Sequence, residues 1–205
     1  MLTNLLMPFD GNFTDLAGNT GITQANYSFL TNQKFGQQAV KFGSNGGVTV
    51  PLTSKITYAG DFTIETWVSM GSLTGEQMLI TAGAGCYIDC YTGGAYNGGA
   101  PCFIVSINPT NSHASMIVVG NNWTVGTLHH LALCRSGSTV TLYGDGAVKG
   151  TVTNTNVWAN SNWTIGNYTS SPLYGFSGGV QQVRASNVCR YTGPFTPPSS
   201  PFVLD

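Results

Sequence analysis

The stretch Leu128–Gly150, LHHLALCRSGSTVTLYGDGAVKG, decides the fold. It reads as strand, tight turn, strand, second tight turn and the start of a third strand. Thr139, Thr141 and Tyr143 alternate with Val140 and Leu142, the two-residue period of a strand with one buried face. Ser136-Gly137 and Gly144-Asp145-Gly146 mark the turns, because glycine reaches positive φ without steric cost and aspartate tolerates it. Two hairpins in tandem predict antiparallel β-structure.

The same signature recurs on either side. In Asp61–Ser69, DFTIETWVS, Phe62, Ile64, Thr66 and Val68 share one face, and Thr63, Glu65, Trp67 and Ser69 share the other. A large ring on each face predicts that one side packs on a core while the other lines a second layer or a groove. Further strands are predicted in MLTNLLMPFDG up to Asp10-Gly11, and over Ala39–Phe42, Gly47–Val50, Met78–Thr81, Cys102–Ile107, Ser115–Val119, Trp163–Gly166 and Gly175–Val183. FTDLAGNTGITQANYSFL (13–30) is rich in turn formers. GAGCYIDCYTGGAYNGGAPC (83–102) reads as a long loop or irregular hairpin tip, the kind of segment that carries function in a compact domain. From about residue 194 the Pro-rich tail is extended or irregular, since proline supplies no ladder donor. No window has sustained helical periodicity. The pattern predicts an all-β, two-sheet antiparallel jelly-roll sandwich, with residues 1–205 as one domain.

Composition narrows the function classes. Of 205 residues, 41% are hydrophobic and 11% aromatic, enough to fill a sandwich core. Only 7% are charged, far below the roughly 25% of an ordinary domain. A formal net charge of -1 argues against nucleic acid, whose phosphates need Lys and Arg, and against electrostatic membrane binding. So few charges give weak repulsion between copies, which predicts packing into an assembly or high stability. The opening segment lacks a basic leader and a cleavage site, and its apolar run is too short to span a bilayer, so no signal peptide or membrane insertion is expected.

Five cysteines, with no leader evident, favour reduced thiols in a chain made in the cytosol. Cys134 sits in an apolar strand as a small core residue. Cys86, Cys90 and Cys102 fall in one Gly-rich region. Zinc there would need His113 as fourth ligand and lacks paired CxxC spacing, and a Cys90–Cys102 loop disulfide is the alternative. Adjacent His129 and His130 point to opposite faces of a strand, so they cannot share a metal.

Catalysis is not expected. Glycoside hydrolysis needs two carboxylates across one bond, and the chain has only two glutamates. Glu65 has no acid two or four residues on, and Glu76 lies beyond that strand in a turn. The reading for Glu65 is a groove-lining or hydrogen-bonded structural residue. No nucleophile elbow or Gly-rich phosphate loop is present.

Binding has more candidates. Sugars are held by aromatic faces against C–H surfaces, with amides and carboxylates on the hydroxyls. Tyr87, Tyr91, Tyr96 and Asn97 form one candidate patch, Asn121, Asn122 and Trp123 a second, and Trp158, Asn160 and Tyr168 a third. The loop tyrosines stand out because glycine-rich surroundings leave little to bury them. The same composition suits protein-binding loops. No cofactor is expected apart from a structural calcium ion at Asp10 and Asp15, with Asn12 and Asn19 nearby, and the alternative there is a pair of Asx turns.

The strings LLMPFDG, FGQQAVKF, DFTIETWV, LHHLALCRSGSTVTLYGDG, FSGGVQQVRAS and RYTGPFTPPSSPF, in this order, resemble the concanavalin A-like, laminin-G-like jelly-roll domains over nearly the whole chain. They look most like the stand-alone versions common in bacteriophage genomes and some bacterial surface proteins. Cys134 and Cys189 stand where an aliphatic residue or alanine is commoner, and the loop from Gly85 to Cys102 is peculiar to this chain. The resemblance implies a non-enzymatic virion or surface structural, decoration or adhesion protein with glycan recognition, made in the host cytoplasm and located on the virion. Its partners would be other virion or surface-assembly subunits, including copies of itself. A free carbohydrate-binding lectin is the rival, and a glycoside hydrolase a distant third.

Overall fold

The structure is a computed structural model of the whole chain. It describes residues 2–83, 85–92, 96–108, 116–158, 161–168 and 172–205, without the side chains of residues 44 and 172. His113 and Asn160 lie outside the described residues.

The strands are β1 (Thr3–Met7), β2 (Thr23–Leu30), β3 (Ala39–Val50), β4 (Phe62–Met70), β5 (Glu76–Thr81), β6 (Cys86–Tyr91), β7 (Cys102–Ile107), β8 (Ile117–Gly120), β9 (Leu128–Ser136), β10 (Thr139–Gly144), β11 (Ala147–Thr153), β12 (Trp163–Ile165) and β13 (Gly178–Ser186). All strand pairs are antiparallel. One layer runs β11-β10-β9-β4-β13, with β1 also on β13, and the other runs β3-β12-β5-β6-β7-β8, with β2 on β3. The twelve-residue β3 joins them: its Val40 and Lys41 pair with β13, and its Val48–Val50 pair with β12.

The opening stretch folds as two hairpins. Ser136 pairs with Thr139 around Gly137 at φ 59, the first central position where a type II′ turn needs glycine. Gly144 pairs with Ala147 around Asp145 (φ 51) and Gly146 (φ 77), the two left-handed residues of a type I′ turn. Both turns match the right-handed twist of their strands; register runs unbroken from β9 to β10, and one bulge between Leu142 and Tyr143 shifts it against β11.

The core lies between the layers. Phe62, Ile64 and Val68 of β4 enter it together with Val48, Val50, Ile80, Ile88, Val105, Leu131 and Val180. Trp158 and Trp163, both fully buried, stand edge to face at 5.9 Å, with Tyr58 and Phe62 beside them. The Trp163 indole N–H donates to the Ile56 carbonyl at 3.1 Å, so this large ring is buried with its one polar atom satisfied.

Three elements differ from expectation. The strand predictions Ala39–Phe42 and Gly47–Val50 are the two ends of one strand, bent between the layers. The segment read as turn formers contains β2. The expected loop after Gly83 contains β6, whose glycine-rich flanks hide a six-residue alternation. Cys86, Ile88 and Cys90 face the core, while Tyr87, Asp89 and Tyr91 face outward. Cys90 and Cys102 therefore point to opposite sides of the sheet, which rules out a bond between them, and none of the five cysteines is in a disulfide.

The outward face of the first layer is covered by the chain's own C-terminal strap, residues 187–205. Phe202 packs on Leu6 and Trp67, and Tyr191 and Phe195 pack on Ala132, Cys134 and Tyr143. Tyr191 and Phe195 stack on each other at 3.6 Å, and the rings of Phe195 and Phe202 stand edge-on to His130 at 5.6 and 6.0 Å. The strap ends beside β1, where the Leu2 N–H donates to the Asp205 carbonyl at 2.6 Å. It crosses the second hairpin at Gly146, whose carbonyl accepts from the Phe195 N–H at 2.9 Å. A Cβ at Gly146 would lie 1.7 Å from the Phe195 carbonyl oxygen and would sit at positive φ. Gly146→Ala is therefore expected to cost about 2 kcal/mol and to lift the strap. Denaturant melts and limited proteolysis, with cleavage beginning after Tyr191, are the checks. An unchanged cleavage pattern would refute the close approach.

Candidate functional site

Two outward faces compete for a functional role. On the first layer, Glu65 is fully buried beneath the strap. Its Oε1 accepts from the Arg184 Nε at 2.8 Å. Its Oε2 accepts from the Tyr191 hydroxyl at 2.9 Å and lies 3.1 Å from the His130 Nε2. Arg190 stands 3.8 Å away and forks onto Asp205 at 2.7 and 2.9 Å. Burial alone would raise the Glu65 pKa, but the His130 hydrogen bond and the Arg184 charge outweigh it and hold the carboxyl below its ordinary range. The groove expected beside Glu65 is thus filled by the protein itself. Of the expectations for this residue, the hydrogen-bonded structural one describes its position. His129, on the opposite side of β9, stacks on Trp123 at 4.4 Å and pairs its Nδ1 with Asp145 at 2.7 Å.

The outward face of the second layer is different. Residues paired directly across a sheet point the same way, so register alone assembles a row of hydroxyls. Thr23 pairs with Thr49, Thr49 with Thr164, Thr164 with Thr81, Thr81 with Tyr87 and Tyr87 with Ser106. The row crosses six strands at about 4.8 Å per step. Next to it, β5 and β6 place Met78 opposite Asp89 and Glu76 opposite Tyr91.

Around this row the structure gathers candidates that are far apart in sequence. Tyr87, Met78, Cys102 and Ile104 form a cluster, with Tyr91, Tyr96, Tyr168 and Tyr174 packed against it. Tyr91 and Tyr96 meet edge to face at 5.7 Å, and Tyr168 and Tyr174 at 6.2 Å. Tyr91, Tyr96 and Tyr168 are half-exposed, while Tyr87 is 7% exposed and its hydroxyl reaches the Met116 sulfur at 3.7 Å. Burial pushes the Tyr87 phenol up to about 12. Tyr168 also lines a cleft of about 280 Å³ with Asn45, Thr49, Thr164 and Asn167. A second cleft, of about 480 Å³, continues past Asn45 to Gly43, Leu173 and Ser177.

Asp89 lies under the tyrosines at 2% exposure, with its Oδ1 accepting from the Gln77 N–H at 3.1 Å. Burial first, and the negative charge of Glu76 second, raise its pKa from 3.8 to about 7. Sequence reading left Asp89, Asn45 and Asn167 out of the candidate set. For Asp89 the signal was present in the Tyr-Asp-Tyr alternation of β6. For the asparagines it was not, since they reach the face only through the β3–β12 pairing.

The remaining candidates are dispersed. Asn97 is exposed and its amide donates to the Pro101 carbonyl at 3.1 Å, at the edge of the tyrosine face. Asn122 is exposed, but Trp123 beside it is buried in the core against Phe103 at 4.8 Å, with the Asn121 side chain capping its N–H. Trp158 has no exposed surface at all. Neither tryptophan is a ligand platform, because both rings are buried in the core between the layers. Asp15 accepts four N–H bonds, from Leu6, Ala17 and both nitrogens of Asn19, while Asp10 accepts from the Gln38 N–H. The Ala17 contact is an Asx turn, and both Asp15 oxygens accept hydrogen bonds. Among the described residues no three His, Cys, Asp or Glu side chains converge on a metal position, and no helix is long and apolar enough to cross a membrane.

Comparison with known proteins agrees on the architecture. A laminin G family model described as the concanavalin A-like lectin/glucanases superfamily matches residues 42–191. Among solved structures, domain 4 of AbnA, a GH43 extracellular arabinanase from Geobacillus stearothermophilus in complex with arabinotriose, superposes with a TM-score of 0.68 at 19% identity, covering 92% of this chain and 93% of that one. The Trypanosoma rangeli sialidase in complex with sialic acid gives 0.66 at 17% identity, covering 91% of this chain and 31% of the sialidase. The binding domain of botulinum neurotoxin serotype D gives 0.65 at 8% identity, covering 92% and 49%. Curated protein sequences give no match. The match over residues 42–191, joined to the two-layer antiparallel topology, places this chain in the concanavalin A-like lectin/glucanases superfamily.

Proposed function

We propose that the protein is a non-enzymatic carbohydrate-binding domain that holds a glycan on the outward face of its second layer. One observation carries this reading: register brings Tyr87, Tyr91, Tyr96 and Tyr168 onto one face, beside a cleft whose walls are Asn45, Thr49, Thr164 and Asn167. Aromatic edges for C–H surfaces and uncharged amides and hydroxyls for sugar hydroxyls are the two halves of glycan recognition. A fold shared with an arabinanase domain bound to arabinotriose and with a sialidase bound to sialic acid makes arabino-oligosaccharides and sialosides the first probes. The seal over Glu65 supports binding rather than hydrolysis, since a carboxylate with all its neighbours engaged has no route to a glycosidic bond.

Tyr91→Ala and Tyr168→Ala are each expected to weaken glycan binding about tenfold, the loss of one good ring contact, with the melting temperature little changed because both rings are half-exposed. Glycan arrays followed by calorimetry on the hits are the measurement. Hits that survive both substitutions would move the site elsewhere, and an empty array would remove the reading.

A second reading, a subunit of a virion or surface assembly, is favoured by the 7% charged composition, which leaves little to keep copies apart. The N-terminal strand and the Pro-rich tail are both engaged within the chain, so an assembly contact would fall on other surfaces. Light scattering over a concentration series separates a multimer from a monomer.

A further inference from the structure

The strap carries a second chemistry, away from the tyrosine face. Cys134 projects outward from β9, and Cys189 comes to it from the strap. The two sulfhydryls belong to one packed cluster and line one cleft of about 250 Å³ with Thr139, Thr141 and Tyr143. The strap is clipped at this point on both sides: the Thr63 hydroxyl, 3.4 Å from the Cys134 sulfur, donates to the Val188 carbonyl at 2.8 Å and accepts from the Arg190 N–H at 2.8 Å. The Cys189 thiol also contacts the Tyr191 carbonyl at 3.3 Å.

We propose that Cys134 and Cys189 are a dithiol modification site that reacts with a low-molecular-weight disulfide and closes to a Cys134–Cys189 bond, stapling the strap to β9. The two thiols have unequal parts. Cys189 is half-exposed, and the neighbouring Cys134 thiol, working against burial, brings its pKa down to about 7, so a large fraction is thiolate at neutral pH. Cys134 is 1% exposed, and burial, then the neighbouring Cys189 thiol, drives its pKa far up, so it stays protonated until its neighbour has reacted. The Cys189 thiolate attacks one sulfur of the small disulfide and expels the other half as a thiolate. That thiolate takes the Cys134 proton. The Cys134 sulfur then attacks the Cys189 sulfur and expels the second half, which is protonated from solvent. Two protein thiols lose two electrons, and the small disulfide becomes two thiols. Cys86, Cys90 and Cys102, at 0–3% exposure and outside this cleft, are left as bystanders.

The test uses the full chain, folded, with oxidised glutathione as the probe. Titratable thiols are expected to fall from five to three, with no glutathione retained and with the peptides carrying Cys134 and Cys189 joined. Cys134→Ser is expected to trap a glutathione adduct on Cys189, and Cys189→Ser to leave Cys134 unmodified. The closed form, spanning 55 residues, is expected to melt at least about 5 °C higher. Peptide mapping of the unsubstituted chain decides the matter even if a variant misfolds. A persistent adduct on Cys189, a bond to any of the three other cysteines, or no reaction in the folded protein would each overturn the proposal.

Discussion

Glu65→Ala is expected to cost about 3–5 kcal/mol, a large part of the stability of a domain this size. The substitution leaves the Arg184 guanidinium and the Tyr191 hydroxyl facing a void under the strap, and a buried cation without its counter-charge is the expensive outcome. Glu65→Gln keeps an acceptor for Tyr191 but removes the charge, so its cost falls between wild type and Ala. Urea denaturation gives the free energies, and hydrogen exchange at Arg190–Phe202 reports whether the strap leaves first. The same group sets an acid limit. Because folding lowers the Glu65 pKa, its contribution is present above the ordinary carboxylate value of 4.5 and is lost as pH falls below that value. A Glu65→Ala variant as stable as wild type at pH 7 would show that the network is ornamental.

Asp89→Asn is expected to act in the opposite direction. Folding raises the Asp89 pKa from 3.8 to about 7, so the folded state binds a proton that the unfolded chain has already released. Stability from this group is complete below pH 3.8 and is lost as pH rises to about 7, with a ceiling of about 4 kcal/mol at ~1.4 kcal/mol per tenfold in proton affinity. Asparagine carries no charge to desolvate and can still accept from the Gln77 N–H. The variant should therefore gain about 2 kcal/mol at pH 8 and show a flat profile from pH 4 to 7. Together the two acids predict that the wild type is most stable near pH 4, between the ordinary values of the two carboxyls. Melting curves from pH 3 to 9 test both, and an Asp89→Asn protein with an unchanged pH profile would contradict the desolvation of that carboxyl.

Local chemistry made the hairpins legible from sequence. Gly137 and Asp145-Gly146 occupy the positive-φ positions that their turns demand, and β4 alternates as its residues do. What could not be read was decided by pairing over long distances. Tyr168 joins the cluster around Tyr87 because Thr164 pairs with Thr81, and no spacing along the chain reveals that. Trp158 was a reasonable ligand candidate by composition, but the Tyr58–Trp158 bridge turns it into the core. The strap was recognisable as extended. Its place over Glu65 depends on Tyr191, Phe195 and Phe202 finding His130, Trp67 and Tyr143, three residues in a region that sequence alone presents as an open groove. Strand β6 is the instructive miss, because the glycines on either side outweighed a clear alternation between them.

With its own tail lying over one sheet face, the chain offers, among the described residues, the tyrosines and the Asn45–Tyr168 cleft on the other. A single shallow saccharide site holds weakly, so useful retention would come from valency: two linked or co-assembled chains facing the same polymer can exceed the affinity of one by about a hundredfold or more without any new contact.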